Sequence, residues 1–294
     1  MSLGSALKSA LASRGTVAWV AGCVLLGVYL FATRPAALPE EATSERKVPI
    51  DLVFRLVAAE NDAVRGLYTA EIVAAGQKAG LAFDEKWRDP KLDAGPLPAL
   101  LLREAASAIQ QTRVPLGLFL GSDFPISRSN LFKGEQDERF RKVKQTGNPE
   151  FFYAADLKLH TAMFPDYAVA PGCVSCHNQH PESPKKDWAL HDMMGATTWS
   201  YPKEAVTIEE MIRILTILRA SFAKAYEAYL TKAAGFAKPP DIGDRWPRDG
   251  YSIPSAAVFM REFERRASPG TMNLLLQGID SEQGSAHKVS GTEH

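Results

Sequence analysis

The sequence predicts an α+β fold: an N-terminal transmembrane helix, then long helices packed on an antiparallel sheet, with a C-terminal helix and an irregular tail. Three observations predict it. The 19 residues from Gly15 to Thr33 carry no charge, a stretch after residue 50 repeats its apolar residues at helical spacing, and short β-rich runs follow. With 46% hydrophobic and 23% charged residues in a chain of 294, a core can be buried and a disordered tail is excluded. Lys+Arg 34 against Asp+Glu 34 cancels to zero, which removes the basic footprint of a nucleic-acid binder. Three cysteines are too few for a disulfide scaffold.

A helix needs about 20 mainly apolar residues to cross a bilayer, so residues 16–33 are expected to form an anchor. A cleaved secretory signal is the alternative, although Thr33-Arg34-Pro35 is not a small-x-small site. Lys8 and Arg14 precede the span without an acid, whereas Glu40, Glu41 and Glu45 balance Arg34, Arg46 and Lys47 after it. That asymmetry predicts a cytoplasmic N-terminus (1–15) and an exported remainder, a single-pass inner-membrane protein with a periplasmic domain. Cys23 would then be an apolar filler in lipid. Residues 34–49, rich in Pro, Ala and charge, read as a linker.

From Ile50 to about residue 78, Val53, Leu56, Val57, Val64, Leu67, Tyr68 and Ile72 recur at three- and four-residue steps, which predicts an amphipathic helix ending near Gly80. Pro96–Gln111 predicts a second. Val114–Leu120, Phe151–Leu159 and Ala196–Tyr201 read as strands, with a charged helix over Gly134–Val143 between the first two. Ile208–Ala234 predicts a third long amphipathic helix, within a segment bounded at 206–236. Its Arg213, Arg219, Lys224 and Glu227 argue against a second span. Residues 237–294 read as a largely irregular tail, with a short helix over Ala256–Arg265 and disorder in the last 20 or so residues.

The chemistry concentrates at Cys173-Val174-Ser175-Cys176-His177, a C-x-x-C-H motif. Two thiols on one turn can add to the two vinyl groups of a haem, and the adjacent histidine then reaches the iron as proximal ligand. Three other readings stay open. A thioredoxin-like pair wants a strand-to-helix turn in a parallel βαβ context, which Ala170-Pro171-Gly172 does not supply. A structural zinc site could use Cys173, Cys176 and His180, but closed sites draw a second ligand pair from a separate segment. A disulfide across two residues would be strained.

The run from Cys173 to Trp188 (CVSCHNQHPESPKKDW) resembles the haem-attachment signature of bacterial c-type haem sensor domains with a PAS-like fold. Asn61–Val73 and Gly95–Ile109 are similar to that family's two N-terminal helices. The resemblance covers residues 50–205, about half of the chain. It implies a PAS-like antiparallel sheet beside long helices, holding one covalent haem c between them. Cys173 and Cys176 carry over as thioether anchors and His177 as the iron ligand. Lys185 and Lys186 could pair with the haem propionates, and Trp188 could cover a haem edge; solvated lysines and plain core packing are the ordinary alternatives. Where the family usually reads Gly-Asp-Val-Arg-Gly, this chain has His191-Asp192-Met193-Met194-Gly195. Some members take a cysteine from the first helix as sixth ligand, and no cysteine stands there. The remaining options are Met193, Met194, His160, His191, water or an open position.

The resemblance implies haem-based sensing of redox state or of a small gas, passed to a protein partner because no kinase, cyclase or methyl-accepting segment is present. A monohaem electron carrier, or a haem subunit of a membrane redox complex, is the alternative. Hydrolytic chemistry has no support, since neither G-x-S-x-G nor H-E-x-x-H occurs.

Overall fold

The computed structural model describes residues 14–33 and 47–290. The expected N-terminal segment before residue 14, most of the linker (34–46) and the last four residues lie outside the described residues. The chain divides into two units, Met1–Arg46 and Lys47–His294.

In the first unit, Arg14–Ala32 is helical (α1). Among the described residues, however, no helix is long and apolar enough to cross a membrane. The apolar run of α1 opens only at Val17, and from there to Ala32 it rises about 24 Å at 1.5 Å per residue. A hydrocarbon core is about 30 Å thick. The expected anchor is therefore corrected, and with it the inner-membrane location, its cytoplasmic and periplasmic sides, and the placing of Cys23 in lipid.

The predicted fold class is corrected as well. The chain is a mixed α/β protein with 54% helix and 19% strand, its helices standing before, between and after the strands. Small parallel ladders accompany the antiparallel ones. Strand β1 (Lys47–Pro49) pairs antiparallel with β8 (Ala205–Thr207), tying the entry of the second unit to the start of the helix over Ile208–Ala234. Helix α2 (Ile50–Leu67) follows, and continues without a break as a π-helix over Tyr68–Ala74 and a short α3 (Ala75–Lys78). Strands β2 (Ala82–Asp84) and β3 (Ala94–Pro96) form a parallel pair. Helix α4 (Pro98–Gln110) opens with proline in its first turn, where no amide hydrogen is needed.

The main sheet contains β4 (Gly117–Gly121), β5 (Glu150–Ala154), β6 (Leu159–Tyr167) and β7 (Met193–Tyr201), in the antiparallel order β4-β7-β6-β5. The single strand expected over Phe151–Leu159 is the tip of the β5–β6 hairpin, which turns where Lys158 adopts φ 54°. Alternation gives the sheet two apolar faces. Phe151, Ala162, Trp199 and Leu118 share one row, and Phe164 and Leu120 another, on the face of the large core. Met163, Ala196 and Phe119 point to the other face, where Phe132, Phe140 and Val143 cover them from helix α5 (Glu135–Thr146) and the loop before it. Near its end β6 slips: Asp166 pairs with Gly195 and Tyr167 with Met193, leaving Met194 as the extra residue of a β-bulge. Between β6 and β7 the chain makes an excursion over residues 168–192, which holds helix α6 (Pro171–Gln179).

The C-terminal half is more regular than its composition predicts. Helix α7 (Ile208–Ala234) starts at Thr207, whose Oγ1 accepts a hydrogen bond from the Glu210 amide at 3.2 Å. After a parallel pair, β9 (Asp241–Gly243) with β10 (Ser252–Pro254), helix α8 runs over Ala256–Ser290. This corrects the irregular tail. Pro269 reads as a breaker, but the helix is packed on both sides of it: Phe259, Phe263 and Ala267 are buried before it, and after it Thr271 bonds to Glu60 and Leu274 and Leu275 pack against the large core.

Helix α2 is the axis of the unit. Val53, Phe54, Leu56, Val57, Val64 and Leu67 are buried, and so are Glu60 and Asn61. Glu60 is fully buried; Arg219 of α7 grips it through Nε at 2.8 Å and Nη2 at 2.5 Å, and the Thr271 hydroxyl of α8 donates to it at 2.8 Å. One carboxylate thereby holds three helices. Just beyond, Tyr68 is ringed edge-on by Phe83, Tyr226, Tyr229 and Phe259 at 6.3–6.5 Å between centroids, and its hydroxyl donates to the Pro96 carbonyl at 2.7 Å. Removing the Glu60 partner strands a buried charge. Arg219→Ala is expected to cost about 3 kcal/mol in urea unfolding, and Glu60→Gln in that background to recover much of the loss; a cost below about 1 kcal/mol would show the pair to be dispensable.

Candidate functional site

Helix α6 carries the C-x-x-C-H residues. Pro171 sits in its first turn, the Cys173 amide donates to the Ala170 carbonyl at 3.0 Å, and the His180 amide donates to the Cys176 carbonyl at 2.9 Å. Spacings of three and four residues put Cys173, Cys176 and His177 on one face. That face turns inward, yet all three residues are only half-buried and the helix has no fully buried residue. Both thiols are free.

The excursion holding α6 is fastened at its base and across its middle. At the base the Ala168 amide donates to the Asp192 carbonyl and the His191 amide to the Ala168 carbonyl, both at 2.9 Å. Across the middle, the Asn178 side chain donates to the Trp188 carbonyl and accepts from the Trp188 amide, again both at 2.9 Å. Trp188 is thereby set edge-on to the His177 ring at 6.5 Å, and Phe124 stands against its other side at 6.4 Å. His180 accepts from the Glu182 amide on Nδ1 at 3.1 Å, which leaves its proton on Nε2, 3.1 Å from Glu85 beside β2.

Electrostatics separates the three residues from competing chemistries. Burial lowers the His177 pKa against the pull of the Asp166 carboxylate, so its imidazole is neutral at pH 7, the form that ligates metals. Its Nδ1 is buried without a hydrogen-bond partner, as is the Trp188 indole nitrogen. Burial raises the Cys176 thiol, and Glu85, Cys173 and Asp84 raise it further. A raised Cys176 is not an activated thiolate. Among the described residues no group of three or more His, Cys, Asp or Glu side chains could hold a metal ion, which leaves no closed zinc site there. A haem requires less of the protein, because the porphyrin supplies four nitrogens itself. Two thiols and one neutral, partly sheltered imidazole on a single face fit that requirement.

The other predicted residues are scattered. Lys185 pairs with Asp187 and lies over the Trp188 ring at 4.6 Å, whereas Lys186 is exposed. His160 is far from this corner: it shares a sheet face with Asp166 but lies six residues away along β6, about 20 Å at strand rise, with its ring against Tyr153 at 5.0 Å. His191 is exposed and adopts φ 70°, a left-handed conformation that favours glycine. Met193 packs against the small core under α5. Met194, the bulged residue, is linked to the site through its backbone: its carbonyl accepts from the Ser122 hydroxyl at 2.6 Å, and Ser122 Oγ accepts from the amide of Phe124, which abuts Trp188.

Three residues that the sequence reading did not single out join the site. Arg65 of α2 pairs with Asp166 at the bulge, each about one-fifth exposed. Burial opposes its charge, but the Asp166 carboxylate outweighs that and holds Arg65 above its ordinary pKa, with Cys173 adding to the effect. Asp62, one turn before, keeps contact with solvent but is crowded by protein. That desolvation pushes its carboxyl up to about 6, with Arg65 pulling it down and Asp166 pushing it up. No family model, curated protein or solved structure matches the chain.

Asp62 sets a pH dependence. Between its ordinary value of 3.8 and about 6 the unfolded chain releases this proton while the folded protein keeps it, so stability from this group falls across that window and its cost is full above it. Asp62→Asn is therefore expected to raise Tm at pH 7.5 by about 2–4 °C, the shift for about 1 kcal/mol after solvent screening, and to leave it unchanged at pH 4. Thermal unfolding of both proteins at both pH values checks this; an equal shift at the two would refute it.

Proposed function

We propose that this protein binds one covalent haem c through Cys173, Cys176 and His177, and that it is a relative of the bacterial PAS-like c-type haem sensor domains. The observation that carries the reading is the shared face of α6: two free thiols and a neutral imidazole with a buried, unpartnered nitrogen. Attachment is redox-neutral. Each thiol adds across a vinyl group, the sulfur bonding to one carbon and a proton going to the other. The bound haem would supply an iron centre able to change oxidation state or take a small ligand. Of the protein's own residues, His177 would hold the iron, Trp188 shields the His177 edge, and the Asn178 clamp keeps α6 and Trp188 in register. Arg65, held by Asp166, offers a cation near Cys173 for a carboxylate at the haem edge. Lys185, engaged with Asp187 and Trp188, is the weaker propionate partner.

The biological role we infer is sensing of redox state or of a small gas, relayed to a protein partner. In support, Arg65 couples the corner of the site directly to α2, the helix that also carries the Glu60 junction to α7 and α8. A change at the iron that moves Asp166 or Arg65 therefore reaches the whole helical layer. Electron transfer is the second reading, favoured if Met194 ligates the iron firmly, since two fixed protein ligands keep rearrangement on reduction small.

The protein matured with haem c is expected to be red and to keep its haem through denaturation, and the Cys173→Ala/Cys176→Ala double variant to lose it on denaturing. A colourless protein would sink the proposal. The ferrous spectrum should shift on adding carbon monoxide, faster in Met194→Ala and at unchanged rate in Met193→Ala and His160→Ala. Bands indifferent to carbon monoxide would overturn gas sensing in favour of the electron carrier.

A further inference from the structure

A groove of about 600 Å³ opens between the π-helix, the turn at Pro247–Asp249 and the first turns of α8. None of its lining residues belongs to the excursion 168–192, so it is separate in composition from the haem corner. Four guanidinium groups line it, Arg248, Arg261, Arg265 and Arg266, against two carboxylates, Glu71 and Glu262. Each carboxylate is shared by two arginines. Arg248 and Arg266 both lie 3.3 Å from Glu71, while Arg265 and Arg266 reach Glu262 at 2.7 and 2.6 Å. Bonding from Arg265, with Arg266 assisting against desolvation, holds the Glu262 carboxyl down to about 2.

Counting the lining alone, four guanidiniums against two carboxylates leave an excess of two positive charges. Outside the lining, Asp241 pairs with Arg245, and the Asp249 carboxylate, which accepts from the Trp246 amide at 3.3 Å, offsets part of that excess. Arg261 is exposed and makes no ion pair among the described residues. Trp246 and Val258 add an apolar wall, with the Arg248 guanidinium 5.9 Å from the indole ring. The π-helix matters here: Glu71 stands within it, and such wide turns are local departures often found at functional sites.

We propose that this groove binds a small organic polyanion, a phosphate ester or a polycarboxylate, whose charged end takes the place of water on Arg248, Arg261 and Arg266 while its carbon skeleton lies on Trp246 and Val258. Planar guanidiniums suit both oxyanions through paired hydrogen bonds, and the volume lies within the range of small-molecule sites. The proposal is independent of haem binding.

Trp246 supplies the readout. Titration of the full chain with phenyl phosphate and with citrate, against sodium chloride at equal ionic strength, is expected to give a saturable change in tryptophan fluorescence. That change should vanish in Trp246→Phe, and the apparent Kd should rise about tenfold in Arg261→Ala, which disturbs no ion pair among the described residues. Saturation with phenyl phosphate alone identifies the phosphate-ester class, and with citrate alone the polycarboxylate class. A non-saturating response, one matched by sodium chloride, one that survives Trp246→Phe, or an unchanged Kd in Arg261→Ala would each overturn the proposal. Arg248→Ala gives a second variant at the opposite wall, where the same loss is expected.

Discussion

Helix α2 carries two charges that the surrounding protein must answer, Glu60, which is fully buried, and Arg65, which is about one-fifth exposed. Desolvating an ion without a partner costs several kcal/mol, so each of these groups dictates where another element lies. Glu60 draws in Arg219 and Thr271, which fixes α7 and α8 against α2. Arg65 draws in Asp166, which fixes the far end of β6. The helical layer and the sheet are thus referenced to one another by two ionic contacts less than two turns apart, and the apolar side chains of α2 fill the space between.

The bulge at Met194 belongs to the same arrangement. Without the extra residue, β7 would continue in register beyond Gly195, and Met194 would stand opposite Tyr167. With it, Asp166 still faces α2 while the chain leaving β6 is free to turn into α6. Gly195 is required beside the bulge, since a Cβ there would come within 2.3 Å of the Gly121 carbonyl oxygen. The proposed haem corner therefore combines a short helix held by side-chain bonds to its own return path with an ion pair supplied by the core.

Local patterns made part of this legible. The helical stretch from Ile50, the helix Ile208–Ala234 and the C-x-x-C-H turn all rest on periodicity or short-range spacing, which a sequence displays directly. What stayed hidden depends on distant residues. Arg65 and Asp166 lie 101 positions apart, and nothing local to Asp166 in the sequence shows that its strand face meets α2. The one visible hint was Glu60-Asn61-Asp62, three polar residues interrupting an apolar stripe. The long helix α8 was missed because Pro269 and the polar composition speak against it, while the four-residue repeat of Phe259, Phe263 and Ala267 acts only through the surface it meets. The membrane reading failed on length: absence of charge over 19 residues does not make each of them apolar. Strand geometry carries His160 to the opposite end of β6 from Asp166, which spacing in the sequence does not display.

The excursion 168–192 leaves and re-enters the sheet between two strands that are already bonded neighbours from His160 to Asp166. The β6–β7 ladder closes without it, and its internal fastenings, Ala168 to Asp192 and Asn178 to Trp188, span only short stretches of chain. Opening such a segment would break those fastenings and its outward contacts, His180 to Glu85 and Trp188 to Phe124, and leave the β6–β7 ladder intact. The sheet and the helices therefore close without help from the segment that carries the two thiols.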